Sequence, residues 1–133
     1  MVEINAYSKA KDGGKKLSAN FTVKEFACKD GSDAVLTAPR LVMVLQSIRS
    51  HFAAPVVIHS AYRTPQYNAK VGGAAHSQHC YGTAADISVR GQTPAAVAAY
   101  ARQLMPDWGG VGVYAGQGFT HIDVREARAD WAG

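Results

Sequence analysis

Ser77-Gln78-His79-Cys80-Tyr81-Gly82-Thr83-Ala84-Ala85-Asp86-Ile87-Ser88-Val89 is the stretch on which the reading of this chain turns. Its second half alternates and carries β-branched residues, which predicts a strand over Ala84–Val89 with Asp86 and Ser88 on one face. Gly82 marks a tight turn before it. That turn lets a loop histidine, His79, fold back toward a strand aspartate. A second segment, Phe119-Thr120-His121-Ile122-Asp123-Val124-Arg125, holds another histidine and another carboxylate. Two residues apart on a strand, His121 and Asp123 point to the same side. Three protein donors plus one open position make a catalytic metal site. His79, Asp86 and His121 fit the three places, provided that the hairpin bearing His121 lies beside the Asp86 strand. Asp123 is then spare, to act as a general base or to orient a ligand from outside.

Working outward, Gly110–Tyr114 reads as the hairpin partner of Phe119–Val124, with Ala115-Gly116-Gln117-Gly118 as the turn. Its glycines allow close backbone approach. Two helices are predicted. In Pro39–Phe52, Leu41, Val42, Leu45, Ile48 and Phe52 recur at three- and four-residue steps; Thr37 is the expected cap and Pro39 suits the first turn. Pro94–Leu104 turns Val97, Tyr100, Ala101 and Leu104 inward. Pro55–His59 is a short apolar strand, expected to be buried. Ser60-Ala61-Tyr62-Arg63-Thr64-Pro65 leaves its end, and Pro65–Val71 forms one or two helical turns closed by Gly72-Gly73. Phe21–Ala27 begins a short helix at Thr22. Residues 1–20 read as a polar arm or edge hairpin and 21–133 as the domain proper. Arg125–Gly133 reads as a polar tail with Trp131 as an anchor. The fold class is α+β, with helices on one side of a small, mainly antiparallel sheet.

At 133 residues the chain can bury a core of its own. No apolar run approaches a membrane span, and Met1–Asn5 lacks the basic start and apolar stretch of a secretory leader. The formal charge of +4 has no aromatic-interleaved basic stripe to go with it, so neither nucleic acid nor membrane is an expected partner. Two cysteines, Cys28 and Cys80, exclude a four-cysteine zinc site. Free thiols are expected, and a thiol enzyme built on Cys80 with His79 or His76 is a minor reading.

The residues also carry a resemblance. Ser77-x-His79-x-x-Gly82-x-Ala84-x-Asp86 resembles the signature of the zinc D-alanyl-D-alanine metallopeptidases, a family that includes murein endopeptidases. Phe26–Asp33, Ser60-x-Tyr62-Arg63-Thr64-Pro65-x-Tyr67-Asn68, Val71-Gly72-Gly73, Gly110–Tyr114 and Phe119–Arg125 resemble its small bacterial and phage branch. The resemblance implies a Hedgehog/DD-peptidase type of fold. It implies one zinc ion on His79, Asp86 and His121, and hydrolysis of amide bonds in peptidoglycan stem peptides or cross-links by a monomer. Arg63 matches the family arginine that contacts the substrate carbonyl or carboxylate. Asp123 would be the catalytic base, and His76, Ser77 and Gln78 would join Arg63 in binding substrate.

One position departs from the pattern. Many members carry a Glu or Asp three residues before the third ligand, and here that residue is Gly118. Related zinc peptidases with an HxH pair leave open the reverse assignment, Asp123 as ligand and His121 as base. Imidazole is the commoner zinc donor, which favours His121. The competing class is a non-catalytic wall-binding or structural module of the same fold.

Overall fold

The computed structural model describes residues 2–133 and is built on a five-stranded sheet. Its elements in chain order are β1 (Asn5–Ser8), α1 (Lys9–Asp12), β2 (Lys16–Ser18), β3 (Phe21–Thr22), β4 (Ala34–Thr37), α2 (Pro39–Phe52), β5 (Val56–Ser60), α3 (Pro65–Lys70), β6 (Ala84–Val89), α4 (Pro94–Leu104), β7 (Gly110–Tyr114), β8 (Phe119–Asp123) and β9 (Ala129–Ala132). Single 3-10 turns cover Val23–Phe26 and Gln78–Tyr81. The main sheet runs β5-β6-β8-β7-β9 and is antiparallel except for the last pair. Two small sheets, β1-β4 and β2-β3, join the first 20 residues to the body. Among the described residues no helix is long and apolar enough to cross a membrane.

The two-residue period of the central strands divides the sheet's work between its faces. Ala85, Ile87 and Val89 of β6 and Ile122 of β8 join the core with Leu41, Leu45 and Ile48 of α2 and Val97 and Ala101 of α4. Both helices contact the sheet and each other, so they lie on one face. The opposite face carries Asp86 and His121, which are register partners, and Asp123, which sits opposite Gly110. This α+β arrangement is the expected one.

Three expectations differ from what forms. The cap of α2 is Ala38, not Thr37, and it makes no side-chain hydrogen bond. Thr37 is drawn into β4, opposite Asn5, which leaves the cap position to the next residue. β5 is an edge strand: Ile58 is buried, yet Val57 is 52% exposed. The tail adds a strand, β9, paired in parallel with β7.

Gly82 turns the chain between His79 and Asp86 at φ +76°. A Cβ there would stand 2.6 Å from the Leu36 carbonyl oxygen. Gly82→Ala is therefore expected to cost about 1–3 kcal/mol from the left-handed backbone, with the clash added. A fall in the denaturant midpoint would register it; an unchanged midpoint would mean that β4 does not clamp this turn.

Candidate metal centre

Each metal-ligand candidate is delivered by a different piece of backbone. His79 sits on the 3-10 turn Gln78–Tyr81, which Ser77 caps by accepting from the His79 N–H. Asp86 is in the middle of β6, and His121 is its partner on β8. The structure brings these three together: one donor atom from each lies within 4.8 Å of the others, and all three residues are buried.

The tautomers follow from the neighbours. His79 Nδ1 lies 2.7 Å from the Ala61 carbonyl oxygen, so that nitrogen donates. Nε2 then faces Asp86 Oδ2 at 3.3 Å. In a neutral His79 this sets two lone pairs against each other, which only a shared proton or cation relieves. His121 Nε2 lies 2.8 Å from Asp123 Oδ2, and its Nδ1 lies 3.0 Å from Asp86 Oδ1. Burial disfavours the imidazolium of His121, but the Asp123 and Asp86 carboxylates outweigh it and raise the pKa. Burial likewise opposes ionisation of Asp86. The hydrogen bonds from His121 and His79 prevail and hold the carboxyl well below the usual carboxylate range. The spot where Asp86 faces two imidazole nitrogens is thus where a cation would fit. Two imidazoles and a carboxylate, each fixed from behind, are a donor set that fits a zinc ion.

Asp123 has no exposed surface. Oδ1 accepts from the Gly110 N–H at 3.0 Å and from Arg125 Nε at 2.8 Å; Oδ2 accepts from Arg125 Nη2 at 2.7 Å and meets His121. Gly110 is required for this, because a Cβ there would strike the Asp123 carboxylate. Burial raises the pKa of Asp123, yet the His121 and Arg125 hydrogen bonds bring it well below the usual range.

The ligands open into a cleft of 630 Å³. Arg63 stands at its edge. Its Nη2 is 3.6 Å from Asp86 Oδ2, Nε donates to Ser60 Oγ and Nη1 to Asn68 Oδ1. His76, Ser77 and Gln78 line the same cleft. The Gln78 side chain also accepts from the Thr83 hydroxyl, so part of its polarity serves the turn. Tyr114, Phe119, Arg125 and Trp131 line the cleft as well. Trp131 donates to the Tyr114 hydroxyl at 2.8 Å, and its ring centroid is 5.0 Å from that of His121. The sequence reads Trp131 only as an anchor of the tail, and the structure brings it to the cleft. The lone tryptophan in a polar tail was the available signal. Cys28 and Cys80 are free and neither lines the cleft; burial pushes the Cys80 thiol up, away from thiolate chemistry.

Residues 17–123 match the family model described as Peptidase M15. No curated protein matches the chain. The matched span contains the whole metal cluster and most of the sheet that builds it. With a His-Asp-His set in place and a family match over most of its length, the chain belongs to the Peptidase M15 family, the zinc D-Ala-D-Ala carboxypeptidase-like metallopeptidases.

Proposed function

We propose that the protein hydrolyses amide bonds in peptidoglycan stem peptides or cross-links, as a zinc-dependent enzyme of the D-Ala-D-Ala carboxypeptidase or murein endopeptidase type acting as a monomer. The observation that carries this reading is the convergence of His79, Asp86 and His121 at the base of an open cleft. A zinc ion held by these three would supply Lewis acidity, polarising a carbonyl and acidifying a water molecule. The remaining work falls to the chain. Ala61 fixes His79 in the tautomer that leaves Nε2 for the metal. Asp123 does the same for His121 by accepting from Nε2, which leaves Nδ1. We assign Asp123 this positioning role in place of general base, because its oxygens are occupied and it does not face the cleft.

Arg63 holds a guanidinium beside Asp86, fixed by Ser60 and Asn68. It is placed to bind the carbonyl oxygen as negative charge develops there. Arg63→Ala is expected to lower kcat by about 10²–10³-fold, with zinc content unchanged; equal loss of zinc would assign it to the metal site instead. His76, the cleft imidazole outside the metal set, is the group left to accept and return the proton. Gln78 and Ser77 line the substrate path.

One feature favours the competing reading of a metal-holding binding module: Gly118 places no carboxylate three residues before His121. Incubating the zinc-loaded protein with soluble stem peptides and analysing the products by mass separates the two. Cleavage at an amide next to a D-amino acid supports the enzyme. Intact peptides after prolonged incubation would leave the binding module.

A further inference from the structure

Away from the metal cleft, and sharing no lining residue with it, a second groove of 800 Å³ runs between the N-terminal arm and α2. Its size suits a small-molecule or oligomer subsite. Asn5 and Tyr7 of β1 and Ser18 of β2 form one wall, and α2 with Tyr100 of α4 forms the other. Gln46 pins the two walls together: its Oε1 accepts from Ser18 Oγ at 2.7 Å and from the Asn20 N–H at 2.9 Å. Asn5 and Tyr7 lie before residue 17, where the family match begins, so part of this groove is built by sequence outside the family model.

The chemistry of the lining is distinctive. The chain carries 14 basic and 10 acidic side chains, yet no Asp, Glu, Lys or Arg lines the groove. Nine of its thirteen lining residues nevertheless bear a polar group. Several of these are unused. The Ser47 and Tyr100 hydroxyls and the His51 ring nitrogens make no hydrogen bond to a described residue. Thr37, 2% exposed at the groove's floor, has a hydroxyl with no partner. Buried polar groups are nearly always satisfied, so an unsatisfied one beside a preformed groove points to something that is added there. Aromatic surface comes from His51 and Tyr100, stacked 3.7 Å apart, and apolar surface from Met43, 69% exposed. Among the lining residues themselves an anion or cation would find no countercharge; Lys15 Nζ stands outside them, 5.5 Å from the centroid of the Tyr7 ring. An apolar peptide would leave the hydroxyls unpaired. A chain of uncharged sugars offers hydroxyl and amide groups together with apolar ring faces and methyls, and matches both.

We propose that this groove binds an uncharged, N-acetylated amino-sugar glycan. It would hold the glycan strand of the polymer whose peptides enter the metal cleft. The choice of an amino sugar rests on the peptidoglycan reading of that cleft; the uncharged polar character of the ligand does not.

Chitotetraose, an uncharged β-1,4 chain of N-acetylglucosamine, is the probe. Titrated into the zinc-loaded full chain, it is expected to give saturable NMR amide shifts at Ser47, Ser50, His51 and Tyr100. Ser47→Arg, which places bulk and charge in the groove, should weaken binding at least tenfold while thermal unfolding shows a folded protein. Three results would overturn the proposal: no saturable shift, shifts confined to the metal cleft, or unaltered binding by folded Ser47→Arg. Cleavage of soluble stem peptides requires no glycan. Loss of sugar binding with peptide cleavage intact would therefore reject this groove alone, and sugar binding without cleavage would reject only the peptidase reading.

Discussion

Alanine in place of His79 is expected to abolish zinc binding and peptide hydrolysis together. His79 is 3% exposed, and its ring is held by the Ala61 carbonyl so that only Nε2 faces Asp86. No other described side chain can supply that donor, because the nearest histidine of the cluster already serves both carboxylates. Losing an outer-shell partner of a metal ligand costs about 10–100-fold in affinity, and losing a ligand should exceed that range. Zinc content after dialysis and product analysis on the same sample would measure both. The fold should survive, since Ser77, Thr83 and Gly82 hold the turn through contacts that do not involve the imidazole. A variant that binds zinc as the wild type does would remove His79 from the site.

Asp123→Asn carries the second large effect, and its pattern separates two roles. As a general base, Asp123 would be needed for turnover and not for zinc. As the positioning group proposed here, it keeps Nδ1 of His121 free for the metal by accepting from Nε2. Asparagine removes the charge that Arg125 and His121 both face. Zinc affinity is then expected to fall about 10–100-fold, and kcat measured at saturating zinc should recover much of its value. Asp123→Ala goes further, leaving the Gly110 N–H without its acceptor, at a cost of about 1–3 kcal/mol. Unchanged zinc affinity with kcat lost would return Asp123 to the role of base.

Much of this architecture can be read from spacing alone. α2 runs Pro39–Phe52 and α4 Pro94–Leu104, as their apolar periodicity and N1 prolines predict. β6 and β8 follow from alternation, and the two-residue period puts Asp86, His121 and Asp123 on one sheet face. What spacing cannot carry is pairing between distant segments. The Thr37 hydroxyl looks like a helix cap until β1 comes back to pair with β4. β9 is Ala-Asp-Trp-Ala, too short and too mixed to signal a strand, and it forms only because the edge of β7 is there to receive it. The occupancy of Asp123 was hidden for a similar reason. Its five polar contacts depend on His121, on Gly110, thirteen residues earlier, and on Arg125 folding back over the same strand.

The groove beside α2 and the cleft under β6 and β8 give the protein two surfaces of different character. One is uncharged and rich in free hydroxyls; the other gathers Asp86, Arg63 and Arg125 around a set of metal donors. Between them, the Ala38 N–H donates to the Gly82 carbonyl at 2.9 Å. The residue between Thr37 and Pro39, both of which line the groove, is thus bonded to the turn that brings His79 to Asp86.

Calorimetric titration of zinc into the metal-free protein decides whether His79, Asp86 and His121 form one metal centre. The wild type is expected to bind one equivalent, and His79→Ala and Asp86→Ala none under the same conditions. A wild type that takes up no zinc, or alanine variants that bind it as tightly, would contradict that assignment.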